Sequence, residues 1–408
     1  MAKPFSLFLA LKYLRPKRTF VSVVTLISII GVTLGVAVLI IVLSVMSGFD
    51  EMWREKILGF NAHITVESFG SIVNPHDIID IVEEHPDVVA ASPYITGLAF
   101  IQHSQAVHSP FLKGIDPVLE KATTRIEEHI VEGEFSVFDQ EAIIGRDLAQ
   151  RMGVGVGDSI LVYSPQQFTD ADSFHLPEEL EIVGIFDVGM WDFDMGYLLC
   201  SMQIARELTG IERGVQGIQV MTVAPYRAEG IAEALRSELG HEFMVNTWMD
   251  RNQQLFAALR VEKNMMFFLL LFITIVAAFS IMNTLITVTV QKTNEIGLLK
   301  ALGFNSGNIM WVFLWQGWIS GIIGLASGVG LGLFVVRHRN NLMRFLSDQF
   351  NLELFPKGLY RLSEIPARTN PSDLIVIAIA VMVICTLAGT IPAWRAARLN
   401  PAEALRYE

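Results

Sequence analysis

Glycine is never followed by lysine in this chain, so the GxxxxGK(S/T) loop that cradles nucleotide phosphates is missing and there is no Walker A site for ATP. HExxH, paired CxxC and GxSxG are missing too, which removes the usual signatures of zinc peptidases, zinc modules and serine hydrolases. The glycine-rich run Gly153-Val-Gly-Val-Gly-Asp-Ser159 precedes an expected strand instead of opening a helix, so it reads as a tight turn and not a phosphate cradle. Cysteine is scarce. Of the 2 cysteines, Cys385 sits in an apolar run and Cys200 is alone in the polar part of the chain, so no disulfide can staple that part. The 9 histidines are scattered, and the nearest pair in the polar segment, His103 and His108, has no further ligands beside it. No metal site and no catalytic residue is expected.

Apolar residues, by contrast, are plentiful: 52% of the 408 residues are hydrophobic and only 18% charged, with a mean hydropathy of +0.45. That balance excludes a disordered chain and sits above an ordinary soluble enzyme. The charges are also segregated. Residues 48–264 hold 14 Lys/Arg and 35 Asp/Glu, a net of −21, leaving 16 and 7 elsewhere, a net of +9. A segment that acidic is a poor binder of nucleic acid, so no nucleic-acid partner is expected.

Four stretches carry no charge: 20–47, 265–291, 309–336 and 374–391. Each is long enough to cross a hydrocarbon core of ~30 Å, which takes about 20 helical residues. The alternative for the first is a cleaved signal peptide, but its run is about twice the usual length of such a region and it lacks a small-residue cleavage site. Basic residues set the orientation. Five fall in residues 1–19, two in the loop 292–308 and three in the tail 392–408, which places these short segments in the cytoplasm. The six basic residues of the loop 337–373 pull the other way, but four spans put that loop on the outer side with 48–264. The expected fold is therefore a membrane α-helical protein with four transmembrane helices and a large α+β domain between the first and second. Within 48–264, outer pieces at about 60–112 and 214–247 read as strand and helix units, and about 113–213 reads as an inserted strand-rich lobe.

The edges of that domain continue the spans. Phe49, Met52, Trp53, Ile57 and Phe60 recur at helical spacing beyond the first span, and Leu255, Phe256, Leu259 and Met266 lead into the second, with Asp250 as the expected N-cap. Between the second and third spans, Asn294 and Glu295 suit a helix start, Lys300 suits its negative end, and Gly303 can stop it in the left-handed conformation. Ile296, Leu299 and Leu302 line one side of this short helix. That side either rests on the membrane or the bundle, or inserts into a cytoplasmic partner. Gly317, Gly321, Gly324, Gly328 and Gly332 in the third span, with Gly31 and Gly35 in the first, permit close helix contact, within one chain or between two. No Asp, Glu, Lys, Arg or His lies in any span, which argues against an ion-coupled transporter.

At this point the chain resembles a known group. One span, a large external domain and three further spans look like the MacB/FtsX-type permease superfamily, and Glu295-Ile-Gly-Leu-Leu-Lys-Ala-Leu-Gly303 resembles its cytoplasmic coupling-helix motif. More specifically, Phe8-Leu-Ala-Leu-Lys-Tyr-Leu-Arg15, Ser44-Val-Met-Ser-Gly-Phe49, Arg260-Val-Glu-Lys-Asn-Met-Met266 and the segment from Pro392 to Glu408 resemble the LolC/LolE lipoprotein-releasing permeases. The resemblance implies a non-catalytic permease subunit of an ABC-type complex in the bacterial inner membrane. It would pull triacylated lipoproteins from the bilayer and pass them to a LolA-like periplasmic carrier.

ATP and Mg would be bound by a separate LolD-like ATPase, with no cofactor in this chain, and a second permease copy or paralogue would complete the complex. The ATPase would dock on Asn294, Glu295, Ile296, Leu298, Leu299, Lys300, Leu302 and Gly303. The lipoprotein cavity would be lined by Val42, Val45, Met46, Phe49, Phe256, Met265 and Met266, residue types that suit membrane lipid and acyl chains but are also ordinary packing. A hook for the carrier would fall at Pro165, Gln166, Gln167, Phe168, Phe174 and Pro177. Its acidic surroundings, Asp170, Asp172, Glu178 and Glu179, fit an ordinary hairpin as well. The same architecture also serves an FtsX-like regulator of a cell-wall hydrolase and a MacB-like exporter of another amphiphile. A membrane-anchored enzyme is a fourth reading.

Overall fold

The computed structural model describes residues 3–14, 20–165, 176–350 and 364–400. They fall into two units, one built from residues up to Asp50, from Ala258 to 350 and from Glu364 onward, the other from Glu51 to Ala257.

The chain enters through α1 (Lys3–Leu14) and α2 (Phe20–Phe60), a single helix of 41 residues that supplies both units. The second unit continues with β1 (Ile64–Ile72), α3 (Pro75–Glu83), β2 (Val88–Leu98), β3 (Phe100–His103), β4 (Ala106–His108), β5 (Phe111–Ile115) and α4 (Pro117–Thr123). Then come β6 (Ile130–Gly133), β7 (Glu141–Gly145), α5 (Arg146–Met152), β8 (Ser159–Tyr163), β9 (Glu178–Phe186), α6 (Trp191–Asp194), β10 (Tyr197–Ser201) and α7 (Met202–Thr209). It closes with β11 (Val215–Thr222), α8 (Ala228–Leu239), β12 (Phe243–Thr247) and α9 (Trp248–Arg251).

Strands β12-β1-β11-β2 lie side by side, with β1 and β2 both antiparallel to β11 between them, so β1-α3-β2 and β11-α8-β12 form two split βαβ units. The sheet then runs on without a break through β5, β10, β7, β9, β8, β3 and β4. The expected lobe at 113–213 is thus not separate. β3 precedes residue 113 yet pairs on the far side with β8, with β4 beyond it on β3, and β5 bridges β2 to β10. Strand alternation identifies strands but not their neighbours, and the turn signals within 99–111, such as Ser109-Pro110, mark a bend but not where the chain goes next.

The end of α2 is built into the core of this unit. The Phe60 ring stacks on Phe193 at 4.4 Å and meets Tyr197 at 4.7 Å and Phe186 at 5.7 Å. Lys113 Nζ lies 5.3 Å from the same ring and donates to the buried Glu120 carboxylate at 2.8 Å. Ser92, Gln219 and Thr124 also donate to that carboxylate, so the buried charge is fully paired, the condition under which it is tolerated. Lys56, one turn earlier on α2, donates to the Gly189 carbonyl.

Among the described residues, the membrane-type unit holds four helices long and apolar enough to cross a membrane. They are α2, α10 (Gln253–Gln291), α12 (Ser306–Arg337) and α14 (Pro371–Arg398), with α11 (Thr293–Ala301) after α10 and α13 (Arg339–Phe350) after α12. Asp250 is not the cap of the second long helix. Thr247 caps the short turn α9, with Asp250 completing a capping box as its third residue, and α10 starts afresh at Gln253.

The glycines of α12 face this chain's own helices. A Cβ on Gly324, Gly328 or Gly332 would meet Val32, Val36 and Ile40 of α2, one turn apart, and one on Gly321 would meet Cys385 of α14. Gly31 and Gly35 sit over Ser280 and Ile273 of α10, where Ser28 hydrogen-bonds the Ser280 carbonyl at 3.2 Å and Thr284. Trp318 Nε1 donates to Thr386 Oγ1 at 2.8 Å, joining α12 to α14.

At the end of the bundle that holds Ser44 and Gly48, residues 364–370 run as a strap. Asn340 and Arg339 hold both backbone groups of Ile365, and Arg368 N–H donates to the Ser44 carbonyl at 2.8 Å. Ser44 Oγ meets Thr369 Oγ1 at 3.0 Å, and the backbone of Pro366 and Ala367 lies directly on Gly48. The spacing Ser44-Val-Met-Ser-Gly is therefore a seat for this strap.

Two outcomes follow. Gly48→Val forces the strap off α2, and overpacking of this kind destabilises by about 1–3 kcal/mol, so thermal unfolding in detergent should shift down by roughly 3–8 °C. An unchanged midpoint would contradict the seat. In the soluble unit, His63 is buried, and its Nδ1 accepts the Thr222 N–H at 3.1 Å, which requires the neutral ring. Burial holds its pKa down from 6.5 to about 4. The unfolded chain binds this proton first, so the stability it supplies is present above pH 6.5 and is lost as pH falls towards 4, by up to about 3 kcal/mol. His63→Gln, which keeps a neutral acceptor, should flatten the pH dependence of hydrogen exchange in β1 and β11 over this window; an unaltered slope would count against it.

Candidate functional site

Helix α11 begins with Thr293 after Lys292, so Asn294 lies inside its first turn and does not cap it. At the other end Gly303 takes φ +94°, while the Gly303 and Phe304 N–H groups close back on Lys300 and Leu299, as the left-handed stop requires. Ile296 is 2% exposed and packs with Val288 of α10, Ile309 and Phe313 of α12, and Ala393 and Ala396 of α14. Gly297 beside it is also buried. The expected side of Ile296, Leu299 and Leu302 therefore divides: Ile296 holds the helix to the bundle, Leu299 is half-buried, and Leu302 points out. The outward apolar pair is Leu298 and Leu302, one turn apart and 54% and 70% exposed.

The polar groups divide in the same way. Glu295 is exposed and paired with Lys292 on the outer surface. Lys300 turns inward, where Nζ donates to the carbonyls of Ala397 at 2.6 Å and Leu399 at 2.7 Å, at the end of α14. Helix α11 thus offers solvent a small apolar knob with a carboxylate beside it.

Val42, Val45, Met46 and Phe49 are half-buried on the turns of α2 around Ser44 and Gly48, and on α10 Met265 is exposed and Met266 half-buried. Phe256 belongs instead to the soluble unit, where its ring packs edge-on against Trp248 at 5.3 Å and under the Arg54 guanidinium at 5.3 Å. Helix α10 is the least covered of the four long helices, and Phe268, Phe272, Val276 and Phe279 form an exposed stripe at three- and four-residue spacing. These stripe residues were not singled out in the sequence, since periodicity cannot mark one face of a helix that is apolar all round. Between the helices lies a cavity of about 20 Å³ lined by Val32, Val36, Leu39, Ile273, Val381 and Cys385. It has room for about one water-sized group and no acyl chain.

Of the expected hook, Gln166, Gln167, Phe168 and Phe174 lie outside the described residues. Pro165 and Pro177 flank them after β8 and before β9, and Pro165 borders a groove of about 490 Å³ with Phe69, Thr96, Leu98, Leu208 and Ile211. Among the described residues no three His, Cys, Asp or Glu side chains gather as a metal site.

Two family models match the chain: a MacB-like periplasmic core domain over residues 25–238 and an FtsX-like permease C-terminal region over residues 267–401. The chain is 32% identical over 418 residues to the lipoprotein-releasing system transmembrane protein LolC of Xylella fastidiosa strain Temecula1, covering 100% of both. It is 29% identical to LolC of Neisseria meningitidis serogroup B, covering 98% of this chain and 99% of that one. To LolE of Haemophilus influenzae it is 24% identical, over 99% of each.

Proposed function

This chain belongs to the family of lipoprotein-releasing system transmembrane proteins, and on that premise we propose that it is the permease subunit of an ABC-type complex that extracts lipoproteins from the inner membrane. A periplasmic carrier receives the lipoprotein, and a separate LolD-like subunit binds ATP and Mg and hydrolyses the nucleotide. The observation that carries the reading is the build of α11, fixed to three long helices through Ile296 while Leu298 and Leu302 face outward beside Glu295. A partner that grips this knob moves the ends of α10, α12 and α14 together. In this reading residues 51–257 lie in the periplasm and both termini in the cytoplasm.

The energetics call for such a partner. Moving acyl chains out of lipid opposes ~0.8 kcal/mol per CH₂, so three chains leave only with an energy source and an apolar receiver. The cavity within the four helices is far too small to be that receiver. The exposed stripe on α10, with Met265, Met266 and the outer turns of α2, would form one wall, and a second permease copy or paralogue would supply the other. Phe256, engaged with Trp248, drops out of that wall.

The test is ATP-dependent transfer of a triacylated lipoprotein to a soluble carrier, with this chain, its ATPase and any second permease in nanodiscs. Leu298→Asp places a charge on the knob without touching the buried face, and should reduce both ATPase binding and transfer by about tenfold or more, the scale of losing an apolar anchor. If the ATPase binds and turns over but no lipoprotein leaves in the wild-type complex, the lipoprotein reading fails. Stimulation of a cell-wall hydrolase by the same complex would then point to the FtsX-like regulator.

A further inference from the structure

Lys300 lies in the segment that resembles a docking motif, yet its ammonium group does not face outward. Two of its three N–H donors are taken by the carbonyls of Ala397 and Leu399, 97 and 99 residues further along the chain. These are carbonyls that a helix ending at Arg398 leaves without partners of its own, and they carry the negative end of its dipole. A lysine there both satisfies the orphan acceptors and complements the charge. Ile296 gives α11 apolar contact with α10, α12 and α14 alike, but such contact is non-directional and permits sliding. The directional bonds from Lys300 go to α14.

The far end of α14 is tied as well. Its N-terminal Pro371 follows directly on the strap, and the strap is seated on Ser44 and Gly48 of α2. We propose that Lys300 is a positioning residue that locks α11 to the end of α14, so that a displacement of α11 is delivered through α14 and the strap to the outer turns of α2. The inference rests on the proposed function for the source of that displacement, but the lock itself is a property of this chain.

The experiment uses the complete complex in nanodiscs with wild-type chain, Lys300→Met and Lys300→Arg. Three quantities are read: ATPase binding, ATP turnover, and lipoprotein released per ATP. Spin labels at Ala301 and Arg395, in a Cys200→Ser and Cys385→Ala background, report the distance between α11 and α14 through the nucleotide cycle. Lys300→Met should leave ATPase binding and turnover near wild type, lower lipoprotein released per ATP by about tenfold, the scale of losing charge-assisted hydrogen bonds, and broaden the label distance. Lys300→Arg, which can donate to both carbonyls, should restore a narrow distance and most of the coupling.

Unchanged coupling and an unbroadened distance in Lys300→Met would overturn the proposal. So would a loss of ATPase binding in that variant, which would make Lys300 a docking residue. If the wild-type complex hydrolyses ATP but transfers nothing, the functional reading is what fails, and the label distances still decide whether the lock exists.

Discussion

One constraint runs through both units, that residues 20–60 form a single helix, α2. One helix of 41 residues supplies packing to the membrane-type unit and then ends inside the hydrophobic core of the soluble one. Along its length it is gripped three times by different physics. Small residues let α12 and α10 approach its backbone at Val32, Val36 and Ile40 and at Gly31 and Gly35. Backbone and hydroxyl hydrogen bonds seat the strap at Ser44 and Gly48. Aromatic stacking and a lysine cation then fix Phe60. Each grip tolerates little rotation about the helix axis, because a turn of one residue would drive a Cβ into a partner backbone or pull Phe60 out of its socket.

That arrangement suits the proposed role, in which this chain passes displacement on and a partner hydrolyses ATP. A part that transmits displacement needs rigid elements, closely packed contacts and defined attachment points. The acidic soluble unit gains its rigidity from one continuous sheet and a buried, fully paired Glu120, without a disulfide. The membrane-type unit gains it from glycine contacts and from side-chain hydrogen bonds at Ser28 and Trp318.

Much of this was legible in the sequence, for reasons that also mark the limits. The four long helices follow from charge-free runs, and the stop of α11 follows from Gly303, because both signals are local. What local signals do not carry is the identity of a distant partner. The periodicity of α11 put Ile296 and Leu302 on one side but could not tell bundle from solvent. Lys300 suits the negative end of its own helix, and nothing nearby in the sequence announces the carbonyls it meets almost a hundred residues away. Phe256 looked like the continuation of the membrane stripe until Trp248 was seen to claim its ring. The boundary at residue 113 rests on alternation, which marks strands but not their neighbours, and β3, which precedes it, pairs with β8. The glycines of α12 were compatible with one chain or two, and only the positions of Val32, Val36 and Ile40 decide for contacts within the chain.

If α2 works as one continuous element, interrupting it should uncouple what it joins. Two glycines inserted between Met52 and Trp53 leave the grips on either side intact but break the helix between them. The account predicts that the reconstituted complex still binds its ATPase and hydrolyses ATP while lipoprotein transfer to the carrier is lost. Transfer at the wild-type rate with the helix interrupted would contradict it.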